Sequence, residues 1–247
     1  MSEWGRLAVG LIVLAGIALG VLTWAGVAQR RAVLVASARA VVQLAVVAAA
    51  LRGVFEAPAA VVAVLAVMFS VATWTATRRL RVHQGAGRAV MLAVLAGAGV
   101  TIGLIVGLPV LNRSVRTLVA TSGIVFGGCM TAAILTGRRL TDGLWHRRDE
   151  VEGWLALGAT PRQAVRDVAR TAAFDALVPA VDQTRTVGLV ALPGAFIGAL
   201  LGGAGATSAA RFQIVVLVGL LCAETITAAL LAHLLGAPTT LPAVEGA

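Results

Sequence analysis

The sequence contains no lysine: all twenty of its basic residues are arginine. A Walker-type nucleotide site needs a P-loop lysine that reaches the phosphates, so this chain by itself is not a P-loop ATPase. A Schiff base to retinal or to pyridoxal phosphate also needs a lysine amine, so both of these cofactors are excluded.

Charged residues are scarce as well. They make up 13% of the 247 residues, whereas hydrophobic residues make up 59% and the mean hydropathy is +0.94. A typical soluble domain carries about 25% charged residues, so we predict an integral membrane protein. The net charge of +9 does not indicate nucleic-acid binding, because basic loops orient membrane helices. The two cysteines, Cys129 and Cys222, predict neither a disulfide framework nor a zinc site.

Several apolar stretches are long enough to cross a membrane, since a helical span needs about 20 residues. They lie at about 5–27, 33–51, 58–77, 89–108, 118–136, 186–203 and 211–235. The sequence therefore predicts an all-α integral membrane protein with about seven transmembrane helices, organised as one domain over 1–247.

The distribution of arginine predicts the orientation. Segments 28–32, 78–88 and 137–185 hold fourteen arginines, and the segments on the opposite side hold five. Because arginine is concentrated in cytoplasmic loops, we expect a multi-pass protein of the cell (inner) membrane with its N-terminus outside and its C-terminus in the cytoplasm. Segment 137–185 is then the largest cytoplasmic piece.

Within that piece, the stretch EVEGWLALGATPRQA (150–164) predicts two helices separated by a break. Gly158 suits a helix stop, since glycine adopts the left-handed conformation cheaply. Thr160 and Gln163 match a T-x-x-Q capping box with a proline at the first helical position. We expect the second helix to run to about residue 177 and to end at Pro179.

The apolar stripe of the first short helix (Val151, Trp154 and Leu155) needs a cover. One interpretation is a membrane-surface helix, or a helix packed against the chain's own spans. The other is a docking element for a soluble partner, which would transmit motion to the membrane part through a rigid helix.

Polar groups inside the spans are the candidate substrate path. Glu224 lies near the middle of the last span, where a carboxylate is costly unless it is neutral, paired, for instance with Arg39, or bound to a cation. Cys129 and Met130 supply sulfur, which suits soft or borderline metals, although a buried cysteine is also an ordinary packing residue. The candidate metal ligands are Cys129, Met130 and Glu224, and the substrate path adds Arg39, Gln43 and Asp182.

Glycine and proline mark the remaining candidate features. The LPG at 192–194 predicts a broken sixth span, which is tolerated at membrane depth where it faces protein or a cavity. The candidate gate comprises Gly188, Leu192, Pro193, Gly194 and Gly198. Small-xxx-small rows at Gly99–Gly103–Gly107, Gly123–Gly127 and Gly194–Gly198–Gly202 predict close helix packing, including a homodimer seam.

A family resemblance is carried by three stretches of the sequence: LALGATPRQA, LVPAVDQTRTVGLVALPGAFIGALLGG and AARFQI. The chain resembles the permease subunits of FetB-type ABC transporters, bacterial iron-export permeases with plant relatives linked to aluminium tolerance. The resemblance runs from about 38 to 235 and is strongest over 155–203. It implies that the cytoplasmic helix–break–helix at 150–164 docks on an ATPase, through Glu150, Glu152, Leu155, Leu157, Gly158, Ala159, Thr160 and Pro161.

The resemblance also implies a non-catalytic, homodimeric permease that exports an iron-like metal ion. ATP and Mg would be bound by the partner ATPase subunit, with no cofactor on this chain. The sequence departs from the family pattern at Gly128, where an asparagine is expected, and at Glu224, where a small residue is expected. Two alternatives remain open: a cation- or proton-coupled secondary carrier that uses Glu224, and a membrane scaffold with 137–185 as its platform.

Overall fold

The computed structural model describes residues 3–54, 57–80, 85–112 and 114–238. These ranges contain nine α-helices: α1 (Glu3–Trp24), α2 (Arg30–Val54), α3 (Pro58–Arg79), α4 (Ala86–Gly107), α5 (Val115–His146), α6 (Arg148–Ala156), α7 (Pro161–Thr186), α8 (Gly194–Leu201) and α9 (Ala206–Leu235). Their only strand-like pairing is a single bridge between Val187 and Ala191. The all-α prediction is confirmed for these residues.

Six helices, α1 to α5 and α9, are long and apolar enough to cross a membrane. Each coincides with a predicted span, although α5 continues beyond 136 to His146. The chain is therefore a multi-pass membrane protein. The predicted span at 186–203 is the exception, because the structure has no continuous helix there.

The chain divides into two compact units, residues 1–60 and 61–247. In the first unit α1 and α2 pack together as a hairpin. Gly26 in the turn between them has a φ of 67°, which glycine adopts without strain. No side chain of α1 is buried, which suits a helix whose apolar surface faces lipid. That residues 1–247 function as one domain stays a prediction.

The core of the second unit is formed mainly by α4, α5, α7 and α9. The Cys129 thiol on α5 lies 3.8 Å from the carbonyl oxygen of Ala223 on α9, and the Thr227 hydroxyl of α9 donates to the Ala93 carbonyl of α4 at 3.3 Å. A Cβ at Gly97 would collide with Thr227. These helices approach closely because the residues between them are small, as membrane helices require in the absence of a hydrophobic driving force.

Helices α5 and α9 run in the same direction. Near their carboxyl ends both meet α7, where Gly143 of α5 faces Val168 and Gly236 after α9 faces Ala169. The chain must therefore return to the opposite end of the bundle between α5 and α9. It does so through α7, the segment 187–193 and α8, since Ala199 of α8 lines a cavity shared with the start of α9.

This return pass corrects one prediction and bears out another. Pro179 does not end the second cytoplasmic helix: it lies inside α7, which continues to Thr186. A proline removes one helical hydrogen bond, at a cost of about 3 kcal/mol, and the packing of α7 along α5 and α9 offsets that loss. The span predicted at 186–203 is broken, as the LPG at 192–194 predicts: a turn at 187–191 leads to the short α8, because Gly188 and Pro193 interrupt the helix.

Candidate functional site

The elbow, which we define as residues 147–163, connects α6 to α7 through a tight turn. The amides of Gly158 and Ala159 donate to the carbonyls of Leu155 and Trp154, both at 3.0 Å. Gly158 has a φ of 89°. This is the Schellman arrangement that ends a helix on a left-handed residue. The predicted helix stop at Gly158 is confirmed.

The start of α7 has the predicted capping box. The Thr160 amide donates to Gln163 Oε1 at 2.8 Å, and the Gln163 amide donates to Thr160 Oγ1 at 3.4 Å. Pro161 occupies the first turn, where its missing N–H costs nothing. Both ends of the turn are thus held by hydrogen bonds of their own residues.

Two ion pairs brace α6. Arg147 donates two hydrogen bonds to the Glu150 carboxylate, each 2.7 Å long, and Arg148 donates to Glu152 at 2.7 Å. The hydrogen bond from Arg147 lowers the pKa of Glu150 below its ordinary value, and the same bond raises the pKa of Arg147. All of these groups lie at the helix surface, so the pairs set the shape of the elbow more than they stabilise it.

The elbow has a buried face and an exposed apolar tip. Val151 is 1% exposed, whereas Leu157 is 82% and Trp154 is 52% exposed. Beside the tip lies a groove of about 510 Å³. The anchored side joins α6 to the bundle, and the tip leaves apolar surface that no described residue covers.

The candidate gate, residues 188–198, has fewer hydrogen bonds and ion pairs to hold it than the elbow. Gly188 has a φ of 79°, and its amide donates to the Ala191 carbonyl at 2.9 Å. Leu189 and Val190 are 89% and 84% exposed, and Leu192 is exposed as well. Pro193 precedes α8 without a side-chain cap. Gly194 and Gly198 lie in α8 with open space around their Cα atoms.

Only some of the candidate metal-binding residues inside the membrane spans lie close together. The Glu224 carboxylate lies against Gly128, since a Cβ there would be 2.6 Å from Oε1. Cys129 is buried beside this point, and Met130 packs at the edge of the core. No group of three or more His, Cys, Asp or Glu side chains that could hold a metal ion occurs in the described part of the chain.

The remaining substrate-path candidates belong to α2 and α7. Arg39 and Gln43 are exposed on α2 in the first unit. Asp182 is exposed near the end of α7 and pairs with Arg185 at 3.7 Å. It therefore belongs to the return pass and not to the α5–α9 contact that holds Glu224.

Comparison with known proteins identifies the family to which this chain belongs. The family described as "Uncharacterised protein family (UPF0014)" matches residues 4–239. The chain belongs to the UPF0014 family. It is 39% identical over 204 residues to "UPF0014 membrane protein STAR2" of Oryza sativa subsp. japonica, covering 81% of this chain and 71% of that protein. No solved structure matches it significantly.

Two further relatives confirm the resemblance found in the motifs. "Protein ALUMINUM SENSITIVE 3" of Arabidopsis thaliana is 37% identical over 192 residues, which cover 76% of this chain and 70% of the relative. "Probable iron export permease protein FetB" of Escherichia coli (strain K12) is 29% identical over 198 residues, which cover 79% and 76%. STAR2 is named as a membrane protein and FetB as a permease.

Sequence reasoning missed the buried polar atoms of this UPF0014 bundle. The hydroxyls of Thr101, Thr121, Ser122 and Thr136 and Oε1 of Gln213 are buried without a hydrogen-bond partner among the described residues. Their helical positions were visible in the sequence, but short hydroxyl residues are common in membrane helices. It also treated the departures at Gly128 and Glu224 as separate, whereas the structure brings them into contact.

Proposed function

We propose that this chain is the non-catalytic permease subunit of an ABC transporter, and that a separate ATPase docks on the elbow. The observation that carries the proposal is an exposed apolar tip, Trp154 and Leu157, on a turn that is fixed at both ends by capping. A rigid protrusion with an uncovered apolar surface suits a soluble partner that must push on it.

A force applied to the elbow would reach the membrane part through the contacts of α6 and α7 with the bundle. Val151 anchors α6, and Gly143 of α5 lies directly against Val168 of α7, so that a Cβ at 143 would be 2.6 Å from Val168 Cγ1. From there α7 runs along α5 and α9 to Thr186, where the candidate gate begins. Movement of the elbow is passed to the gate by a single helix.

Nucleotide chemistry is assigned to the partner. Without lysine, this chain has no P-loop residue to reach the phosphates, so ATP and Mg would be bound by the ATPase. The cargo that we propose is a transition-metal ion moved outward across the inner membrane, as in the name of the FetB relative. Glu224 and Cys129 supply an oxygen and a sulfur at neighbouring positions, and further ligands would come from the cargo's water or from a second subunit.

We further propose that two copies pair in the membrane. Gly99 and Gly103 lie one turn apart on α4, and the space beside both is open. Such a pair lets two helix backbones approach closely. A homodimer would provide two elbows for two ATPase subunits.

The docking role is tested by purifying the tagged protein gently from its native membranes and identifying co-purifying proteins. The variants are Leu157→Asp, which changes only an exposed side chain, and Gly158→Val, which strains the left-handed turn. Gly153→Ala is the matched control, because this α6 glycine has open space and an ordinary helical φ. We expect an ATPase subunit with wild type and control, and a loss of more than about tenfold with Leu157→Asp.

Co-purification of the ATPase at wild-type levels with both elbow variants would refute docking at this site. If no ATPase accompanies the wild-type protein under any mild condition, the secondary carrier becomes the better hypothesis. The contact of Glu224 with Gly128 in the middle of the bundle favours that second candidate. A Glu224→Gln variant that transports normally would exclude Glu224 as its coupling group.

A further inference from the structure

A cleft of about 550 Å³ lies between α7 and the last turns of α9. Its floor consists largely of alanines, including Ala169 and Ala232, and its rim carries basic side chains. These are Arg162, Arg166 and Arg170 of α7 and His233 of α9. The arginines recur every fourth residue, so they form one row on the helix surface.

Among the described residues, no acidic side chain pairs with this arginine row. The ion pairs among described residues join Arg147 to Glu150, Arg148 to Glu152 and Arg185 to Asp182, and none involves the row. The nearest acid in the sequence, Asp167, does not line the cleft: it lines the groove on the α6 side, which Arg166 borders as well. Like charges four residues apart on a helix repel each other, so the row is unfavourable unless an anion lies beside it.

The position of the cleft along α9 indicates what the anion is. Arg211 and His233 on this helix are separated by about 33 Å along its axis, at the usual rise of about 1.5 Å per residue. That distance matches the hydrocarbon thickness of a bilayer, about 30 Å. His233 and the cleft therefore lie at one membrane boundary, where lipid phosphates are concentrated.

We propose that this cleft binds the phosphate headgroup of an anionic phospholipid, which links α7 to the end of α9. Guanidinium groups bind phosphate oxygens with directed hydrogen bonds, and basic pockets between helices at a membrane surface bind such headgroups. The alanine floor offers apolar surface to the start of the acyl chains. The inference goes beyond the permease role and requires only that α5 and α9 span the membrane.

The simplest competing explanation is that the arginines only orient the protein in the membrane, as basic loops do. A matched control separates the two. Because Cys129 of α5 lies opposite Ala223 of the parallel α9, Arg138 and Arg139 lie at about the height of His233. They are exposed and do not line the cleft.

The test uses the purified full chain in a neutral detergent. Dioleoylphosphatidylglycerol or dioleoylphosphatidylcholine is titrated in, and bound lipid is counted by native mass spectrometry while unfolding is followed by tryptophan fluorescence. We expect phosphatidylglycerol, and not phosphatidylcholine, to bind and to raise the melting temperature. Arg166→Gln with Arg170→Gln should weaken binding by about tenfold or more, and Arg138→Gln with Arg139→Gln should not.

Three outcomes would overturn the proposal. Equal weakening by both double variants would show a general charge effect. Tight binding of soluble glycerol phosphate would show that free phosphate, and not a lipid, is the ligand. If the cleft variant retains phosphatidylglycerol but loses a co-purifying ATPase, the arginine row belongs to a protein interface. Failure of the elbow variants to lose ATPase would leave the lipid result unaffected, so the two proposals fail separately.

Discussion

The elbow and the gate are built from the same elements and differ in how they are held. Each interrupts a helix with a glycine at positive φ, Gly158 at 89° and Gly188 at 79°, and each places a proline at or beside the following helix start. The elbow adds a capping box and two ion pairs. The gate, by contrast, has neither, and α8 has eight residues with no side-chain cap.

This difference between the elbow and the gate indicates which of the two segments can change conformation. A turn whose hydrogen bonds are satisfied by its own side chains moves as one body with the helices on either side. A segment with exposed apolar residues and a short uncapped helix changes conformation at low cost. In this protein the rigid break lies at the end that a partner would contact, and the deformable break lies farther along the same helix.

Amide hydrogen exchange should show the largest contrast. We expect amides of 189–192 to exchange at least about 100-fold faster than those of 164–172 in the folded protein, because only one turn of hydrogen bonds protects the gate. Mass spectrometry of peptides from protein in detergent or nanodiscs measures both segments in one sample. Equal protection of the two segments would contradict the comparison.

Joining α7 to α8 should abolish gate movement. The double variant Gly188→Ala with Pro193→Ala removes the left-handed residue and restores an amide, which favours a continuous helix. We expect transport to fall by more than about tenfold while the ATPase still co-purifies. Gly16→Ala is the matched control, since this glycine of α1 has open space and lies outside the gate. Normal efflux of Fe²⁺ by the double variant would argue against a gate at this position.

Removing the capping box should have a moderate effect. Thr160→Ala is expected to destabilise the first turn of α7 by about 1 kcal/mol, seen as roughly fivefold faster amide exchange near Gln163. Thr171→Ala is the control, because this exposed threonine inside α7 donates to the Asp167 carbonyl and its loss costs little. Equal changes in the two variants would mean that the cap is not what holds the elbow.

Acidification should have the smallest effect. The hydrogen bond from Arg147 lowers the pKa of Glu150 below 4.5 in the folded chain, so the pair's contribution is complete above that pH and is lost as pH falls through the folded value. Trp154 fluorescence, followed from neutral to acid pH, should change in wild type. Glu150→Gln should lack this step, and a step that persists in the variant would assign it to another group.

Local chemistry predicted the elbow well, because a glycine stop and a capping box depend on residues within one turn of each other. The same reasoning was wrong about Pro179, since packing along α5 and α9 keeps α7 helical well past the proline. It predicted the break at the LPG, but it counted 186–203 as a membrane span, whereas only the short α8 is helical there. The meeting of Gly128 with Glu224 depends on two distant helices coming together. The arginine row was visible as a four-residue repeat, but its cleft exists only once α9 lies beside α7.

The length of α5 has a mechanical consequence. Its 32 residues extend about 48 Å at the usual rise, whereas the hydrocarbon layer is about 30 Å thick. The excess length of α5 and the adjoining part of α7 form a short pair of helices beyond the hydrocarbon layer. The elbow lies at the outer end of this helix pair. A sideways displacement of the elbow by a few ångströms would rotate this helix pair about its membrane end, which is where the arginine row lies. A lipid bound at the arginine row would then lie at the axis of this rotation.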